Sequence, residues 1–360
     1  MCGICGFTGN GDQSILETMM EAMAYRGPDA AGSWNDEEGV YLGHRRLSIV
    51  DIADGHQPML TEDASLVLVF NGEIYNHREL RRDLESHGFV FRTDHSDTEV
   101  LLHGYRKWGR SVVDRLNGMW AFALLDRTRG ELWLSRDRFG KKPLYYARRH
   151  GEFYFSSELV SLCHHPAIRS EINPTSLVSY FAHGYVPAPG SMVSGVEKLP
   201  AGHNLVYNLT DHSTELERYW RFEFAPQMNW VNQPQALSEA LIEKLYAAVS
   251  TRMQADVPVA VFLSGGIDSS SVASLAMTAS KSKNVKTYSI GFEDESFDET
   301  AYSSDMAAVL GTDHTNEQLT VAGCLELLDD VYTHLDEPMA DSSLIPSFFM
   351  CRLARNQATV

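Results

Sequence analysis

The stretch MCGICGFTG, residues 1–9, places Cys2 directly behind the initiator methionine. A small second residue is what methionine aminopeptidase requires, so we expect Met1 to be removed and Cys2 to become the first residue. Cys2 would then carry both a thiol nucleophile and a free α-amine, whose unperturbed pKa of roughly 7.7 to 8.0 makes it a competent base at neutral pH. The alternative is an ordinary cysteine in a fraying terminus, and the rest of the chain decides between the two.

The composition is that of an ordinary globular protein and argues against several classes of partner. Lys and Arg number 30 against 48 Asp and Glu, and the net charge of -18 disfavours nucleic acid and anionic membranes. No apolar run approaches the roughly 18 residues needed to span a bilayer, and the N-terminus lacks the regions of a signal peptide. We therefore expect a cytoplasmic protein.

The five cysteines form an odd and scattered set, which predicts no disulfide framework. Cys2 and Cys5 have the spacing of a metal or redox pair, but no second pair of ligands follows them. We expect the other four to be small buried apolar side chains: Cys5, Cys163, Cys324 and Cys351.

Residues 2–210 combine short apolar runs with a few helices, and this pattern predicts a layered α+β domain. The predicted strands are Leu66–Phe70, Trp120–Leu125, Leu132–Ser135 and Phe153–Phe155. The predicted helices are Asp12–Ala24, His77–His87 and Thr98–Trp108. The polar stretch 211–234 is predicted to be a linker.

Residues 235–360 alternate helices with strands, which is typical of an α/β domain with a doubly wound parallel sheet. The predicted strands are Val257–Leu263 and Val285–Gly291, and Gln357–Val360 begins a further one. The predicted helices are Gln235–Arg252, Ser269–Ala279, Glu299–Leu310, Ala322–His334 and Leu344–Arg355. Because the chain stops at the start of a strand, we expect it to be a fragment of a longer protein.

Polar residues follow the predicted strand Leu66–Phe70 in the sequence VFNGEIYN, residues 69–76. An Asn-Gly pair often forms a hairpin turn, but here a helix follows and no partner strand does. At the tip of the strand, the Asn71 amide and the Gly72 N–H can form an oxyanion hole, which stabilises a transition state by about 2.7–4 kcal/mol per donor.

Charged groups suited to the two ends of an amino acid occur in neighbouring motifs. Arg46, in GHRRLSIVD, carries the planar guanidinium that clamps a carboxylate, although position alone does not choose between it and the preceding arginine. Ser96 and Glu99 have capping-box spacing, which satisfies the start of a helix without Asp97. Asp97 is then free to accept a hydrogen bond from an α-ammonium, as is Glu73. The RGPD sequence at residues 26–29 reads by itself as a turn.

The motifs MCGICG, YRGPD, HRRLSIVD, NGEIYN, SDTEV and RDRFGKKPLYY occur in this order. In this the sequence resembles the class II glutamine amidotransferases, which have an N-terminal-nucleophile αββα fold, and most of all the glutamine-hydrolysing asparagine synthetases. The resemblance implies that Cys2 is both nucleophile and base, and that Asn71 and Gly72 form the oxyanion hole. The glutamine site that it implies adds Arg46, Glu73, Asp97 and the backbone of Ile49 and Val50.

The second candidate site is the sequence VAVFLSGGIDSSSVA, residues 259–273, between a strand and a helix. Two glycines allow close backbone approach, the helix N-terminus attracts an anion, and serines supply hydroxyls. A Walker loop is excluded because no Gly-Lys-Ser/Thr occurs. The motif resembles that of the ATP pyrophosphatases, which implies that Asp268 helps to hold Mg²⁺ on the pyrophosphate. The implied ATP-binding residues are Leu263, Ser264, Gly265, Gly266, Asp268, Ser269, Ser270, Ile290 and Gly291.

Together the two sites predict that glutamine is hydrolysed at Cys2 and that the ammonia passes to a carboxylate activated by ATP as an acyl-adenylate. Aspartate is the leading acceptor, which would give asparagine, glutamate, AMP and pyrophosphate. A second phosphate motif and a lysine of the family would follow Val360, so we expect glutaminase activity but little amide synthesis from residues 1–360. A homodimer is left open.

The acceptor stays open as well. The family's Thr-Thr-Ile-Arg stretch, which helps to recognise aspartate, is here DEPMADSSLIP, residues 336–346, and contains no arginine. Residues 341–343 of that stretch either cap the next helix or contact the substrate. One alternative is the same chemistry on another carboxylate, such as a sugar uronate in a surface-polysaccharide or secondary pathway. The other is a non-catalytic glutamine- or ATP-binding module.

Overall fold

The computed structural model describes residues 1–36, 39–225 and 233–360, and the chain divides into two compact units. Unit 1 consists of Met1–Phe222 and Asp336–Ala340, and unit 2 consists of Glu223–Leu335 and Asp341–Val360. Part of the predicted linker, residues 226–232, lies outside the described residues. Among the described residues, no helix has the length and apolarity needed to cross a membrane.

Unit 1 contains two six-stranded antiparallel sheets. The first has the strand order β10 (Val196–Lys198), β8 (Tyr145–Arg149), β9 (Glu152–Ser156), β1 (Gly3–Thr8), β3 (Val40–Arg46) and β2 (Ala30–Asn35). The second has the order β12 (Thr214–Arg218), β11 (His203–Asn208), β7 (Glu131–Arg136), β6 (Gly118–Asp126), β5 (Leu66–Ile74) and β4 (Met59–Leu60). Strand β12 falls within the stretch that the sequence predicted as a linker.

The two sheets are stacked, and helices cover their outer faces. An apolar layer that includes Ile4 and Leu42 from the first sheet and Val69 from the second lies between them. Helices α1 (Gln13–Glu21) and α5 (Leu159–Cys163) pack with the first sheet, and α2 (His77–Ser86) and α3 (Asp97–Trp108) with the second. Two further helices are α4 (Val112–Arg115) and α6 (Pro174–His183). The αββα sandwich predicted from the resemblance is confirmed.

Strand β5 explains why its apolar run is unbroken and where the sequence prediction failed. Alternate residues of the run enter different apolar layers, Phe70 on the helix side and Val69 between the sheets, so both faces are buried. The prediction that the strand ends at Phe70 is wrong, because Asn71 and Gly72 continue it and pair with Ala121 and Trp120 of β6. Both residues therefore lie within a paired strand and not at its tip.

The predicted capping box at the start of α3 is also wrong. The Ser96 side chain makes no capping hydrogen bond. The Glu99 carboxylate instead accepts from the backbone N–H groups of Arg92 and Thr93, at 2.8 and 2.9 Å. Glu99 thus fixes the segment before the helix, and the Ser96 N–H donates instead to Thr93 Oγ1 at 3.3 Å.

Unit 2 contains a parallel sheet of three strands, β13 (Ala260–Phe262), β14 (Lys286–Phe292) and β15 (Asp313–Leu319). Its helices are α7 (Pro234–Arg252), α8 (Ile267–Ala279), α9 (Thr300–Leu310), α10 (Val321–His334) and α11 (Leu344–Arg355). The predicted α/β parallel-sheet architecture is confirmed. Strand β15 escaped prediction because its sequence, DHTNEQL, has one apolar residue. No strand is assigned at Gln357–Val360, although Ala260 donates a backbone hydrogen bond to Val360 at 2.8 Å.

Candidate active sites

The Cys2 thiol lies where the start of β1 runs beside the end of β3. Pairing of Gly3 with Arg45 aligns the two strands and brings Leu47 next to the thiol. The Leu47 N–H donates to Cys2 Sγ at 3.4 Å, and the thiol donates to the Leu47 carbonyl at 3.6 Å. The sulfur is therefore held by the N–H and the carbonyl of a single residue, Leu47, and its position follows from the strand register.

Burial, and not the surrounding charges, determines the direction in which the pKa of this thiol is shifted. Burial raises the pKa of Cys2 above its ordinary value, and the Leu47 N–H and the charges of the amino terminus, Lys142 and Arg46 oppose that rise without cancelling it. A thiol with a raised pKa is a poor nucleophile at neutral pH unless a base is at hand. The site therefore requires a proton acceptor near Cys2.

The RGPD sequence is more than a turn, because its arginine holds the backbone of the candidate nucleophile. Arg26 Nε donates to the Cys2 carbonyl at 3.0 Å, and its Nη1 forms a buried ion pair with Glu158. A side chain at Gly27 would lie 2.3 Å from the Arg45 carbonyl carbon, so only glycine lets this segment lie against β3. Sequence reasoning missed Arg26 and Glu158, which are 132 positions apart.

The Asn71 side chain is buried at 1 % exposure, and within the described residues neither its oxygen nor its nitrogen has a hydrogen-bond partner. Buried polar groups without partners are rare in folded proteins and call for an explanation, such as a missing ligand. A Cβ at Gly72 would lie 2.3 Å from the Met119 carbonyl oxygen, so glycine is needed for the pairing with β6. The strand before Asn71 is fixed by His44, whose Nε2 lies 3.1 Å from the Phe70 carbonyl oxygen.

Of the adjacent residues Arg45 and Arg46, Arg46 is the buried one. Its guanidinium organises the loop that follows β3. It donates to the carbonyls of Val50, Asp51 and Ile52 at 3.2, 2.6 and 3.0 Å. Ile49 lies in the same loop and is half-buried. A carboxylate bound by Arg46 would have to share these donors with the loop.

Asp97 and Glu73 are brought together by β5 and α3. Asp97 Oδ2 accepts from the Ile74 N–H at 3.0 Å, one residue after Glu73. Burial raises the pKa of Asp97, and the Ile74 N–H and the charge of His77 oppose the rise. Lys142 is buried near Glu73 and Cys2; burial lowers the pKa of its amine, and the Glu73 charge opposes that shift. Sequence reasoning missed Lys142, which only the RDRFGKKPLYY motif could have indicated.

Unit 2 has a cavity of about 300 Å³ at the carboxyl ends of β13 and β14. Four of its lining residues belong to the predicted ATP site: Leu263, Ser264, Ser269 and Ile290. The sequence did not indicate its other lining residues: Phe262, Ser289, Phe292, Phe297, Glu299, Ser303 and Met350. The cavity thus joins an apolar wall to hydroxyl groups at the start of α8.

The glycine loop beside this cavity is tightly folded. Gly265 has φ +82°, and a Cβ there would lie 2.6 Å from the Tyr302 carbonyl carbon. The Ser264 and Ser269 hydroxyls lie 2.9 Å apart, and the N-cap residue of α8 is Gly266, which has no side chain with which to cap the helix. The Ser270 hydroxyl is buried without a partner among the described residues. Unbonded N–H groups at a helix start are suited to an anion.

A metal ion would find few protein ligands near this loop. Among the residues that the structure describes, no three His, Cys, Asp or Glu side chains are grouped to hold a metal. Asp268 is exposed in the first turn of α8. One carboxylate fits Mg²⁺ that is held mainly by nucleotide phosphates and water.

The remaining cysteines are reduced and lie outside both sites. Cys5 is buried as predicted, and Cys163 and Cys324 are half-buried. The prediction of burial is wrong for Cys351, which is exposed on α11.

Comparison with known proteins divides the chain into two parts, as the structure does. Residues 1–220 match the family model of the glutamine amidotransferase domain, and residues 240–360 match that of asparagine synthase. Asparagine synthetase [glutamine-hydrolyzing] 1 of Bacillus subtilis is 36% identical over 99% of this chain and 57% of its own length. The chain therefore spans little more than half of that relative.

Two other relatives extend the comparison. A putative asparagine synthetase [glutamine-hydrolyzing] 2 of Methanocaldococcus jannaschii is 37% identical over 100% of this chain and 73% of its own length. Amidase chry2 of Gibberella zeae is 31% identical over 95% of this chain and 54% of its own. Given the two family matches and the extent of the archaeal match, the chain belongs to the glutamine-hydrolysing asparagine synthetase family, with a class II glutamine amidotransferase domain at its N-terminus.

Proposed function

We propose that this protein is a glutamine-dependent amidotransferase of the asparagine synthetase type. Glutamine is hydrolysed at Cys2, and the ammonia passes to a carboxylate that ATP has activated as an acyl-adenylate. One observation carries the glutaminase half: the Asn71 side-chain amide is buried and has no hydrogen-bond partner within the described residues, while Leu47 fixes the half-buried Cys2 thiol. Such an amide is available to bind an oxygen that develops charge.

The chemistry of the first half follows from the raised pKa of the thiol. Once Met1 is removed, the α-amine of Cys2 accepts the thiol proton, and Sγ attacks the side-chain amide carbon of glutamine. The Asn71 Nδ2–H and the Gly72 N–H donate to the resulting oxyanion. The ammonium of Cys2 then returns its proton to the departing ammonia, and water hydrolyses the thioester to release glutamate and the thiol.

The site recognises glutamine as an amino acid through its two charged groups. Arg46 receives the α-carboxylate, and Glu73 and Asp97 receive the α-ammonium, with the backbone of Ile49 and Val50 beside them. Support comes from the burial of Arg46 and Asp97, at 5 % and 6 % exposure, because a charge shielded from water interacts strongly with an opposite charge.

In unit 2 the loop of Ser264, Gly265 and Gly266 and the start of α8 bind the phosphates of ATP. The hydroxyls of Ser269 and Ser270 assist, and Leu263, Ile290 and Gly291 contact the adenosine. Asp268 would hold Mg²⁺, which when bound neutralises charge on the leaving pyrophosphate. The apolar wall of the cavity supports this assignment, because it offers the adenine ring a surface that excludes water.

The glutaminase test compares Cys2→Ala with Cys163→Ala, a matched change at a half-buried cysteine outside the site. We expect Cys2→Ala to abolish glutamate release and Cys163→Ala to leave it unchanged. Mass spectrometry of the active protein should show Cys2 as the first residue. Unchanged glutamate release by Cys2→Ala would favour a glutamine-binding module, and an active protein that retains Met1 would refute the mechanism.

Aspartate is the proposed acceptor, and another carboxylate is the second candidate. Two observations favour the alternative: residues 336–346 contain no arginine for the aspartate carboxylate, and Asp336 and Glu337 of that stretch are hydrogen-bonded within unit 1. Pyrophosphate release by the native protein, measured with aspartate and with a panel of sugar uronates, separates the two. Release that depends on aspartate alone supports asparagine synthesis, and release with a uronate but not aspartate refutes it.

A further inference from the structure

Asp51 is a buried carboxylate in the loop that follows β3, at 2 % exposure. Its backbone has φ +50°, in the left-handed region that few residues other than glycine, asparagine and aspartate adopt readily. A buried carboxylate persists only where hydrogen bonds from its surroundings satisfy it. Its hydrogen bonds show what those surroundings are.

The Asp51 carboxylate joins two segments of unit 1. Its Oδ1 accepts from the Asp54 N–H at 3.2 Å, which closes the loop on itself. Its Oδ2 accepts from the His95 N–H at 3.1 Å, two residues before Asp97. One side chain therefore ties the loop after β3 to the start of α3.

The Asp51 main chain is equally engaged. Its carbonyl accepts from Arg46 Nη2 at 2.6 Å and from the Gly55 N–H at 3.0 Å. A Cβ at Gly55 would lie 2.3 Å from Arg46 Nη2, so the loop wraps the guanidinium as closely as glycine permits. Asp51 thus contacts Arg46 through its backbone and the segment of Asp97 through its side chain.

We propose that Asp51 is a positioning residue that sets the separation between the carboxylate-binding Arg46 and the ammonium-binding Asp97, and so makes the site specific for an α-amino acid. The inference rests on the proposed glutaminase function. The α-carboxylate and α-ammonium of glutamine share one carbon, so their two partners must keep a fixed, short spacing. Asp51 connects the two segments through a buried carboxylate that also holds the loop around Arg46, whereas a second hydrogen bond, from Gln57 Nε2 to Thr98 Oγ1 at 3.3 Å, does not involve the residues around Arg46.

The test compares Asp51→Gly and Asp51→Asn with Asp54→Ala, which removes an exposed carboxylate from the same loop. Glycine and asparagine both tolerate the left-handed backbone, so these variants alter the carboxylate without adding strain. For Asp51→Gly we expect KM for glutamine to rise about tenfold or more, with kcat within about threefold of the parent value. Asp51→Asn, which keeps one acceptor oxygen, should show a smaller rise, and Asp54→Ala none.

A second readout uses glutaramate, which is glutamine without its α-ammonium. The parent protein should prefer glutamine in kcat/KM, and Asp51→Gly should lose about tenfold of that preference, whereas general loosening of the fold would slow both substrates alike. An unchanged KM, an unchanged preference, or an equal effect of Asp54→Ala would overturn the proposal.

Binding of glutamine in the Cys2→Ala background tests Asp51 without chemistry. Calorimetry should show affinity weakened about tenfold when Asp51→Gly is added. If the parent chain binds glutamine but releases no glutamate, the proposed glutaminase function fails while this measurement still reports on Asp51. Affinity that is indifferent to Asp51→Gly refutes the positioning role.

Discussion

Replacing Asn71 by alanine should separate activity from stability in unit 1. The amide is at 1 % exposure, and within the described residues neither of its polar atoms is hydrogen-bonded. If it donates to the oxyanion, its loss removes one donor, which costs about 2.7–4 kcal/mol of transition-state stabilisation. We therefore expect kcat for glutamate release to fall about 10²- to 10³-fold, with KM for glutamine little changed.

Asn71→Ala should not destabilise the fold in the way that replacing a hydrogen-bonded buried asparagine would. An unsatisfied buried polar group costs about 1–3 kcal/mol, so its removal offsets the small cavity that alanine leaves. The free energy of unfolding, measured with urea, should stay within about 1 kcal/mol of the parent value or rise. Truncation of most buried side chains lowers the free energy of unfolding. A large fall in kcat without such a loss of stability would therefore identify Asn71 as an oxyanion-hole residue.

Asn204 provides the matched control, because it is buried at 2 % exposure and its Oδ1 also lacks a partner among the described residues. Asn204→Ala should change unfolding to a similar extent and leave kcat unchanged. Two results would refute the reasoning: a kcat for Asn71→Ala within tenfold of the parent, or a loss of unfolding free energy above about 3 kcal/mol, which would mean that the amide is bonded in the folded protein.

Three further predictions concern charge and backbone strain. Lys142→Met removes a cation that lowers the pKa of the Cys2 thiol, so the pH midpoint for its alkylation by iodoacetamide should move upward, whereas Lys142→Arg should preserve it. Burial lowers the pKa of His44 to about 3, whereas its pKa in the unfolded chain is roughly 6.5. Protonation therefore favours the unfolded chain, and stability that is present above a pH of roughly 6.5 is lost as the pH falls. Between pH 7 and 4.5 this loss is about 3 kcal/mol, and urea unfolding of His44→Gln should lack that part of the decline; an equal decline would contradict the burial argument. Gly265→Ala should weaken ATP binding at least tenfold without affecting glutamate release, because its Cβ meets Tyr302, whereas Gly311→Ala, at φ +70° with open space around it, should spare ATP binding.

The helices that were predicted most accurately are those whose residue pattern runs without interruption. Helix α11 was predicted at its observed bounds, and α8 and α10 to within two residues, because an amphipathic or small-residue period is uninterrupted there. Strand β1 was not predicted, since its Gly6 is dictated by neighbours distant in the sequence. A Cβ at Gly6 would lie 2.5 Å from both the Phe155 ring and the Tyr41 carbonyl oxygen.

Among the candidate site residues, those within recognisable motifs were predicted and their distant partners were not. Cys2, Asn71 and Asp97 were identified because their motifs carry them, but the partners that hold them in place were not. Arg26 reaches Glu158 across 132 positions, and Asp51 reaches His95 across 44. Such contacts depend on which strands and loops the fold brings side by side, and this cannot be read from local spacing.

The stretch 336–346 shows how this distinction affects the acceptor assignment. Asp336 Oδ1 accepts from the Val160 N–H at 2.7 Å and its Oδ2 from the Leu159 N–H, so Asp336 caps the start of α5. The residue before Leu159 is Glu158, the partner of Arg26, which in turn holds the Cys2 carbonyl.

Asp336 is thus linked to the candidate nucleophile by α5 and one ion pair, and it belongs to unit 1. Asp341, in contrast, accepts from the Ser343 N–H and hydroxyl, both at 2.8 Å, in a turn before α11 of unit 2. A substitution at Asp336 should therefore alter glutamate release whether or not an acceptor is present. Loss of amide synthesis in such a variant would not identify Asp336 as an acceptor ligand, whereas the same loss with glutamate release intact, at Asp341 or Ser342, would.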